Sequence, residues 1–285
     1  MRKQFATLLI TFFLIQTSLT ALDLELNASY DYFRGLPEGS WNGNNGALIA
    51  VNFSETLCNG LGAQLGGSYG LYNWDGHENL VFRNPKKVEE QTFLTGGVYT
   101  SLRCFNAGLV YDRQHVKHLG IYDRTVSLNQ LRFQLGYQFC REEIGIWGTA
   151  NLTTAHVTAL GVPLRFQAIS QLNFFWTHYF CNCASTTLWI GAPYKNSLRF
   201  HHRTAGEFIA GFAFRAPLTS CLFVDAHGMY MKARHLHSGL QSRNYAANIC
   251  VGITYVFGGC CENYRGSYLP VANNSNFLID TNINQ

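Results

Sequence analysis

The decapeptide QLRFQLGYQF, residues 130–139, determines the fold assignment. Its apolar side chains, from Leu131 to Phe139, occupy every second position, and Gln, Arg and Gly fill the positions between them. A repeat of two is that of a β-strand with two different faces, whereas a helix repeats every 3.6 residues. The stretch therefore predicts a strand that separates an apolar environment from a polar one.

The same alternation recurs along the chain. Residues 61–71 show it clearly, and further candidate strands lie at 22–32, 45–53, 91–101, 105–114, 144–152, 163–180, 185–195, 205–214, 221–232 and 244–257. The connections are in turn short (54–60, 102–104, 140–143, 181–184, 215–220) and long (33–44, 73–90, 115–129, 153–162, 196–204, 233–243). This arrangement predicts an all-β, antiparallel, up-and-down transmembrane β-barrel of about 12 strands over residues 22–257, with 10 as the fallback. A soluble β-sandwich is the alternative.

The N-terminus has the layout of a secretory signal peptide. Arg2 and Lys3 precede a mostly apolar run over residues 5–15, and small Ala21 follows. The run is too short for a membrane-spanning anchor, which needs about 20 apolar residues. We therefore expect residues 1–21 to be cleaved after export. A charged fraction of only 13% fits a membrane barrel, and the absence of a basic run or RNA-binding motif argues against a nucleic-acid partner.

The last strand carries a more specific signal. Gly252, Tyr255 and Phe257 resemble the terminal pattern that barrel-assembly machinery recognises in bacterial outer-membrane proteins, although Cys250 replaces its first, polar residue. The resemblance implies outer-membrane location and contact with lipid and lipopolysaccharide. Residues 258–285 form an Asn-rich tail, expected in the periplasm. The tail is either disordered or folded back near 277–280 as a lid or plug.

Cysteines are numerous for such a barrel. Eight of the nine map to the end with the short turns: Cys58, Cys104, Cys140, Cys181, Cys183, Cys221, Cys260 and Cys261. Export to an oxidising compartment makes disulfides the first expectation, with free or metal-bound thiols as the alternative. The chain thus resembles the cysteine-rich outer-membrane proteins of chlamydia-like bacteria. That resemblance implies disulfide cross-links to itself or to other envelope proteins.

Basic residues collect at the opposite end. The candidates for a positive mouth are Arg83, Lys86, Lys87, Lys117, Arg199, Arg203 and Arg234. Such a mouth would concentrate anions, but the same residues could instead bind lipopolysaccharide phosphates. His201 and His202, with His235 and His237, are a weak metal motif, and we expect neither a bound metal nor a cofactor.

Charged residues within strands are the candidates for the lumen: Arg132, Arg165, Glu207, Asp225 and His227. Asp225 and His227 could orient a general base, yet no nucleophile is tied to them, so we expect no enzymatic activity. Two functions stay open. One is a small porin-like channel with a weakly anion-attracting mouth. The other is a non-conducting structural or adhesive barrel that is cross-linked through its periplasmic cysteines.

Overall fold

A computed structural model describes residues 22–38, 43–58, 60–79, 84–120, 124–159, 161–199, 202–234, 245–257 and 269–282. It contains fifteen strands: β1 Leu22–Arg34, β2 Asn44–Cys58, β3 Leu61–Asn79, β4 Asn84–Leu102, β5 Phe105–Leu119, β6 Arg124–Phe139, β7 Glu142–Asn151, β8 Thr154–Ala159, β9 Val162–Ala168, β10 Gln171–Tyr179, β11 Ser185–Pro193, β12 Gly206–Pro217, β13 Leu222–Ala233, β14 Tyr245–Phe257 and β15 Ile279–Thr281. A short 3-10 helix, Leu36–Glu38, follows β1. The predicted signal peptide, residues 1–21, lies outside the described residues. Among those described, no helix has the length and apolar character needed to cross a membrane.

Twelve of the strands close into one antiparallel barrel, in the order β1-β14-β13-β12-β11-β10-β7-β6-β5-β4-β3-β2. The seam joins the first and last strands of the wall, with Leu24 opposite Phe257 and Arg34 opposite Ala247. Closure leaves no open sheet edge, which a membrane-spanning sheet requires because lipid cannot satisfy free backbone groups. The predicted twelve-stranded transmembrane barrel is confirmed.

Alternate residues of each strand face outward and inward. On β6, the outward Leu135 is half exposed, whereas the inward Gln130 and Arg132 are buried within the barrel. The outer face is thus apolar and the inner face polar, the reverse of a soluble protein. The short turns, the start of β1 and the end of β14 lie at one end of the barrel, which we call the short-turn end. The opposite end is the long-loop end.

Two expectations about the wall were wrong: a single strand at 163–180, and long loops at 73–90 and 115–129. The stretch 163–180 is not one strand, because the chain leaves the barrel wall after β7 and returns only at β10. The hairpin β8–β9 between them pairs instead with β15 in a separate three-stranded sheet. Thr149 and Asn151 of β7 form hydrogen bonds with Ile169 and Ser170. These bonds fix the chain at the point where it returns from the three-stranded sheet to the barrel wall.

The loops expected at 73–90 and 115–129 are largely strand. β3 and β4 pair beyond Tyr72. β5 continues as far as Leu119, and β6 already begins at Arg124. In this upper part the polarity of the wall reverses. Val116 and Leu128 face inward and are buried, whereas Lys117 faces outward and is exposed. This side of the barrel therefore stands above the apolar belt.

Candidate functional site: a lumen closed by the tail

The C-terminal segment runs through the lumen. β14 ends with Phe257 at the short-turn end, and residues 269–282 lie inside the wall. Ile279 and Thr281 then pair with β9 at the long-loop end. Residues 269–282 are therefore ordered within the barrel, and the side of the membrane on which the tail begins stays a prediction. The alternative of a folded-back plug near 277–280 describes their position.

Two wall glycines make room for the tail. A Cβ atom added to Gly108 would lie 2.1 Å from a side-chain carbon of Leu269, and one added to Gly66 would lie 2.5 Å from Val271. Real Cβ atoms do not approach so closely. These inward positions carry no side chain and therefore leave room for Leu269 and Val271 of the tail against β5 and β3.

A buried ion pair holds the middle of the tail. Arg132 donates from Nε to Asp112 Oδ2 over 2.9 Å and from Nη2 to the Pro270 carbonyl over 2.6 Å. Thr95 donates to Asp112 over 2.8 Å and accepts from the Ala272 N–H over 2.9 Å. These hydrogen bonds compensate for the desolvation of two charges, which is otherwise unfavourable.

A second buried carboxylate, Asp31, lies on β1, four strands along the wall from Asp112 on β5. It accepts hydrogen bonds from the Tyr72 hydroxyl at 2.7 Å, from Asn248 at 2.6 Å and from Asn274 at 2.9 Å. Ser275 donates in turn to the Asn248 oxygen over 2.5 Å. Three wall strands and the tail therefore meet at a single carboxylate.

Above these polar contacts the lumen is filled by apolar side chains on both sides of the tail. Phe277 and Ile279 pack with Phe93, Val116, Leu119, Val126, Leu128, Leu164 and Phe166. Leu278 points the other way and packs with Leu36, Ile169, Ala205, Ile209, Met229 and Met231. We call these two clusters together the apolar seal. The alternation of the tail allows one segment to complete both clusters.

The upper end of the tail is fixed by Asp280. Its carboxylate accepts from the Leu198 N–H over 2.7 Å, and Arg165 N–H donates to Asn282 over 2.7 Å. Burial raises the pKa of Asp280, although the N–H donors of Leu198 and Thr281 act in the opposite direction. β15 thus extends the β8–β9 hairpin by one strand, the mode of binding known as β-augmentation.

Below the tail lies a vestibule, a cavity of about 850 Å³ that reaches the turns at the short-turn end. Leu269, Pro270, Val271, Ala272, Asn273, Ser275 and Asn276 of the tail contribute to its lining. Arg215 is the main charged group on its wall. It donates to both oxygens of Asp225 over 2.6 and 3.2 Å and to Glu25 over 3.0 Å.

The predicted luminal residues divide into two groups. Arg132, Asp225 and His227 are on the inward face and line the vestibule. Arg165 lies on β9 of the inserted sheet and not on the barrel wall, because the stretch 163–180 is broken. Glu207 occupies a bulge of β12, where its exposed carboxylate pairs with Lys232 over 2.6 Å. Expecting Arg165 and Glu207 on the pore wall was wrong.

The described basic candidates do not form one ring. Lys117 faces outward and contacts Glu90 over 2.7 Å, and Arg203 is exposed. Arg199 and Arg234 are half-buried around a small gap beside Asp280, and Lys87 is half-buried on β4. Arg83 and the side chain of Lys86 lie outside the described residues.

The cysteines are distributed as the turns predict. Cys104, Cys140 and Cys181 are exposed, Cys183 and Cys221 are partly buried, and Cys250 is buried on β14. Cys140, Cys181 and Cys183 line the mouth of the vestibule. No disulfide joins any two of these six. The side chain of Cys58 and the whole of Cys260 and Cys261 lie outside the described residues, so the disulfide expectation stays a prediction.

The other sequence motifs can also be placed. Gly252 faces the lumen beside Ser29, and Tyr255 and Phe257 face outward with their ring centroids 4.6 Å apart. His202 is exposed, whereas His201, His235 and His237 are outside the described residues. In the described part of the chain, no three His, Cys, Asp or Glu side chains are grouped to hold a metal. Asp225 directs both oxygens to Arg215, so it does not orient His227 as a base.

Sequence reasoning missed Asp31 and Asp112. Each is a single carboxylate within a strand, and nothing local marks it as a contact for a segment far along the chain. The tail offered a signal in Asn273–Asn276 followed by apolar Phe277, Leu278 and Ile279, since an apolar triplet is unexpected in a solvated tail.

The fold and its filled lumen define a plugged transmembrane β-barrel. The chain belongs to the family of unknown function DUF6666, whose model matches residues 12–279. No curated protein matches it in sequence.

Several solved structures are similar to this chain at low sequence identity. A membrane-protein structure from a study of in-meso crystallization is 9% identical, with a TM-score of 0.50 and coverage of 92% of this chain and 99% of the other. A FadL homologue from Pseudomonas aeruginosa is 10% identical, with a TM-score of 0.46 and coverage of 82% and 90%. Outer membrane phospholipase A from Escherichia coli is 8% identical, with a TM-score of 0.43 and coverage of 82% and 95%. The resemblance to proteins of chlamydia-like bacteria stays a prediction.

Proposed function

We propose that the chain is an outer-membrane barrel that serves as a porin-like passage for small solutes and is closed at rest by its own C-terminal segment. Residues 1–21 would direct export, and Gly252, Tyr255 and Phe257 would engage the assembly machinery. The short-turn end, where both ends of the barrel domain lie, would face the periplasm. Lipid and lipopolysaccharide would surround the wall.

One observation carries this proposal. Residues 269–282 cross the lumen between the two halves of the apolar seal, while a cavity of about 850 Å³ lies beneath them. A barrel of twelve strands lies between those filled by side chains and those that enclose a wide channel. Here the tail and the β8–β9 hairpin supply the filling, and residues 269–282 are held in the lumen by non-covalent contacts that can open.

Basic residues at the long-loop end, such as the exposed Arg203, support a mouth that attracts anions weakly. The lumen itself shows less preference, because Arg132 and Arg215 are paired with carboxylates.

The test compares the mature chain with a variant that lacks residues 269–285, each in planar bilayers under a salt gradient. We expect few openings from the mature chain and discrete current steps from the shortened one. A variant that lacks only residues 283–285 is the control and should behave as the mature chain does. Silence from a shortened chain that still shows heat-modifiable migration would contradict the passage.

A second candidate function rests on the thiols. The exposed Cys104, Cys140 and Cys181 lie where neighbouring envelope proteins could reach them. In this view the barrel is a structural or adhesive component, cross-linked by disulfides and permanently closed. Oligomers that disappear with reductant on denaturing gels, together with a shortened chain that never conducts, would favour it.

A further inference from the structure

The wall around the tail consists largely of uncharged amides and hydroxyls, and several of them form hydrogen bonds with the backbone of the tail. Gln64 donates from Nε2 to the Leu269 carbonyl over 2.6 Å and accepts at Oε1 from the Leu269 N–H over 3.1 Å. Gln130 and Gln171 both donate to the Asn276 carbonyl, over 3.2 and 3.4 Å. The passage is therefore complementary to neutral hydrogen-bonding groups.

Two arginines of this wall are already paired with carboxylates. Arg132 is committed to Asp112, and Arg215 to Asp225 and Glu25. Buried Glu143 accepts from the Tyr179 hydroxyl over 2.6 Å and from Asn106 over 3.1 Å. Arg132 and Arg215 are neutralised by these carboxylates and offer little net attraction to an anionic solute.

The wall also has more hydrogen-bonding capacity than the tail uses. Oxygen or nitrogen atoms of Asn52, Gln91, Gln114, Gln130 and Asn173 are buried without a partner. Such groups are unfavourable in a closed protein and are normally paired or hydrated. Gln130 contacts the Asn276 carbonyl and Asn52 lines the vestibule, so unused hydrogen-bonding capacity lies beside the tail, where hydroxyl groups could bind once the tail has moved.

The vestibule adds an aromatic surface at the entrance to this path. Trp147 and Trp189 line it, packed edge to face with ring centroids 6.0 Å apart. An aromatic surface beside polar amides suits a molecule that has hydroxyl groups around its rim and C–H groups on its faces.

We propose that the solute class of this passage is neutral and polyhydroxylated, that is, small saccharides, which enter through the vestibule and pass the amide-lined wall. This inference rests on the proposed function, because the wall becomes a passage only when the tail is displaced. Under this proposal the lumen is selective for solutes with hydroxyl groups, whereas the basic mouth alone would select for solutes with negative charge.

The test uses the full mature chain with Phe277→Asp and Leu278→Asp, which place a carboxylate in each half of the apolar seal and should unseat the tail. Currents are recorded in planar bilayers with sucrose on the short-turn side. Polyethylene glycol of the same hydrodynamic radius is the control solute. We expect sucrose to reduce the current reversibly and saturably, beyond the reduction by the polymer.

Two further variants, each in this open background, make the test specific. Trp189→Ala should raise the half-blocking sucrose concentration roughly fivefold, because a stacking surface is lost. Trp176→Ala removes an exposed, outward-facing indole and should change nothing. If the double variant fails to fold, Gly108→Leu displaces the tail from the side of the wall.

Four outcomes would overturn the inference. Current that sucrose reduces no more than the polymer does, or strong selectivity between anions and cations, would overturn the solute class and leave the passage intact. The same holds if Trp189→Ala and Trp176→Ala behave alike. Folded open variants that carry no current would overturn the proposed function, and the solute class with it.

Discussion

Asp31 of the first strand accepts a hydrogen bond of 2.9 Å from Asn274, which lies 243 positions further along the chain. The same carboxylate accepts from Tyr72 on β3 and from Asn248 on β14. The seam of the barrel and the closure of its lumen therefore share one buried group. A change at Asp31 should therefore weaken both the wall and the docking of the tail, whereas a change at Asn274 should weaken only the contact made by the tail.

Replacing Asp31 by Ala should lower the free energy of unfolding by about 3 kcal/mol, because three buried donors lose their acceptor. Asn274→Ala removes only the donor from the tail and should cost about 1 kcal/mol. Urea titrations of heat-modifiable migration measure both values. Equal losses for the two variants would show that Asp31 does not tie the wall strands together.

A double-mutant cycle should reveal the pairing of Arg132 with Asp112. Arg132→Met and Asp112→Leu are each expected to destabilise the barrel by about 3–5 kcal/mol, since each leaves a buried charge alone. The double variant should be much more stable than the sum of the two losses allows. Additive losses would instead mean that the 2.9 Å contact contributes no coupling.

Phe277→Ala should lower stability by about 3–5 kcal/mol through the cavity that it leaves in the apolar seal. Phe174→Ala is the matched control, because that ring is half exposed on the outer face. Its loss should be clearly smaller. Digestion with proteinase K followed by mass spectrometry reports the tail directly, because residues 269–282 contain no lysine or arginine for trypsin. We expect faster release of C-terminal peptides from Phe277→Ala only.

Thiol labelling should distinguish the turns from the wall. In variants that retain one cysteine each, Cys104, Cys140 and Cys181 should react with maleimide-polyethylene glycol in the folded protein, whereas Cys250 should react only after unfolding. In cells, the turn cysteines should need outer-membrane permeabilisation before they react. Labelling of intact cells at Cys140 would reverse the proposed orientation.

The contact of Asp280 predicts a dependence on pH. Burial raises the pKa of Asp280 above its unfolded value, so the folded state holds the proton more tightly. The tail should thus be docked most firmly below the ordinary aspartate pKa of about 3.9 and lose stability as pH rises through the folded pKa. Asp280→Asn keeps an acceptor for the Leu198 N–H and should flatten this profile. A profile that the substitution leaves unchanged would assign the pH dependence to another group.

The lower half of the barrel could be predicted from sequence because lipid and lumen impose opposite polarities on alternate positions. Residues 130–139 follow this rule, and the structure places Leu135 outward and Arg132 inward. The upper half could not be predicted in this way. There Val116 and Leu128 turn inward to meet the β8–β9 hairpin, so the polarity rule is inverted above the membrane. The contact between Asp31 and Asn274 depends on how the tail passes through the lumen. No local sequence pattern at either residue indicates it.

The tethering of the tail at Phe257 also sets a direction of travel. The wall is sealed along its length, so the segment cannot leave sideways between β1 and β14. Its attachment lies at the short-turn end, while β15 is docked near the opposite end. Withdrawal of the tail would therefore proceed along the barrel axis, toward the end at which Phe257 lies.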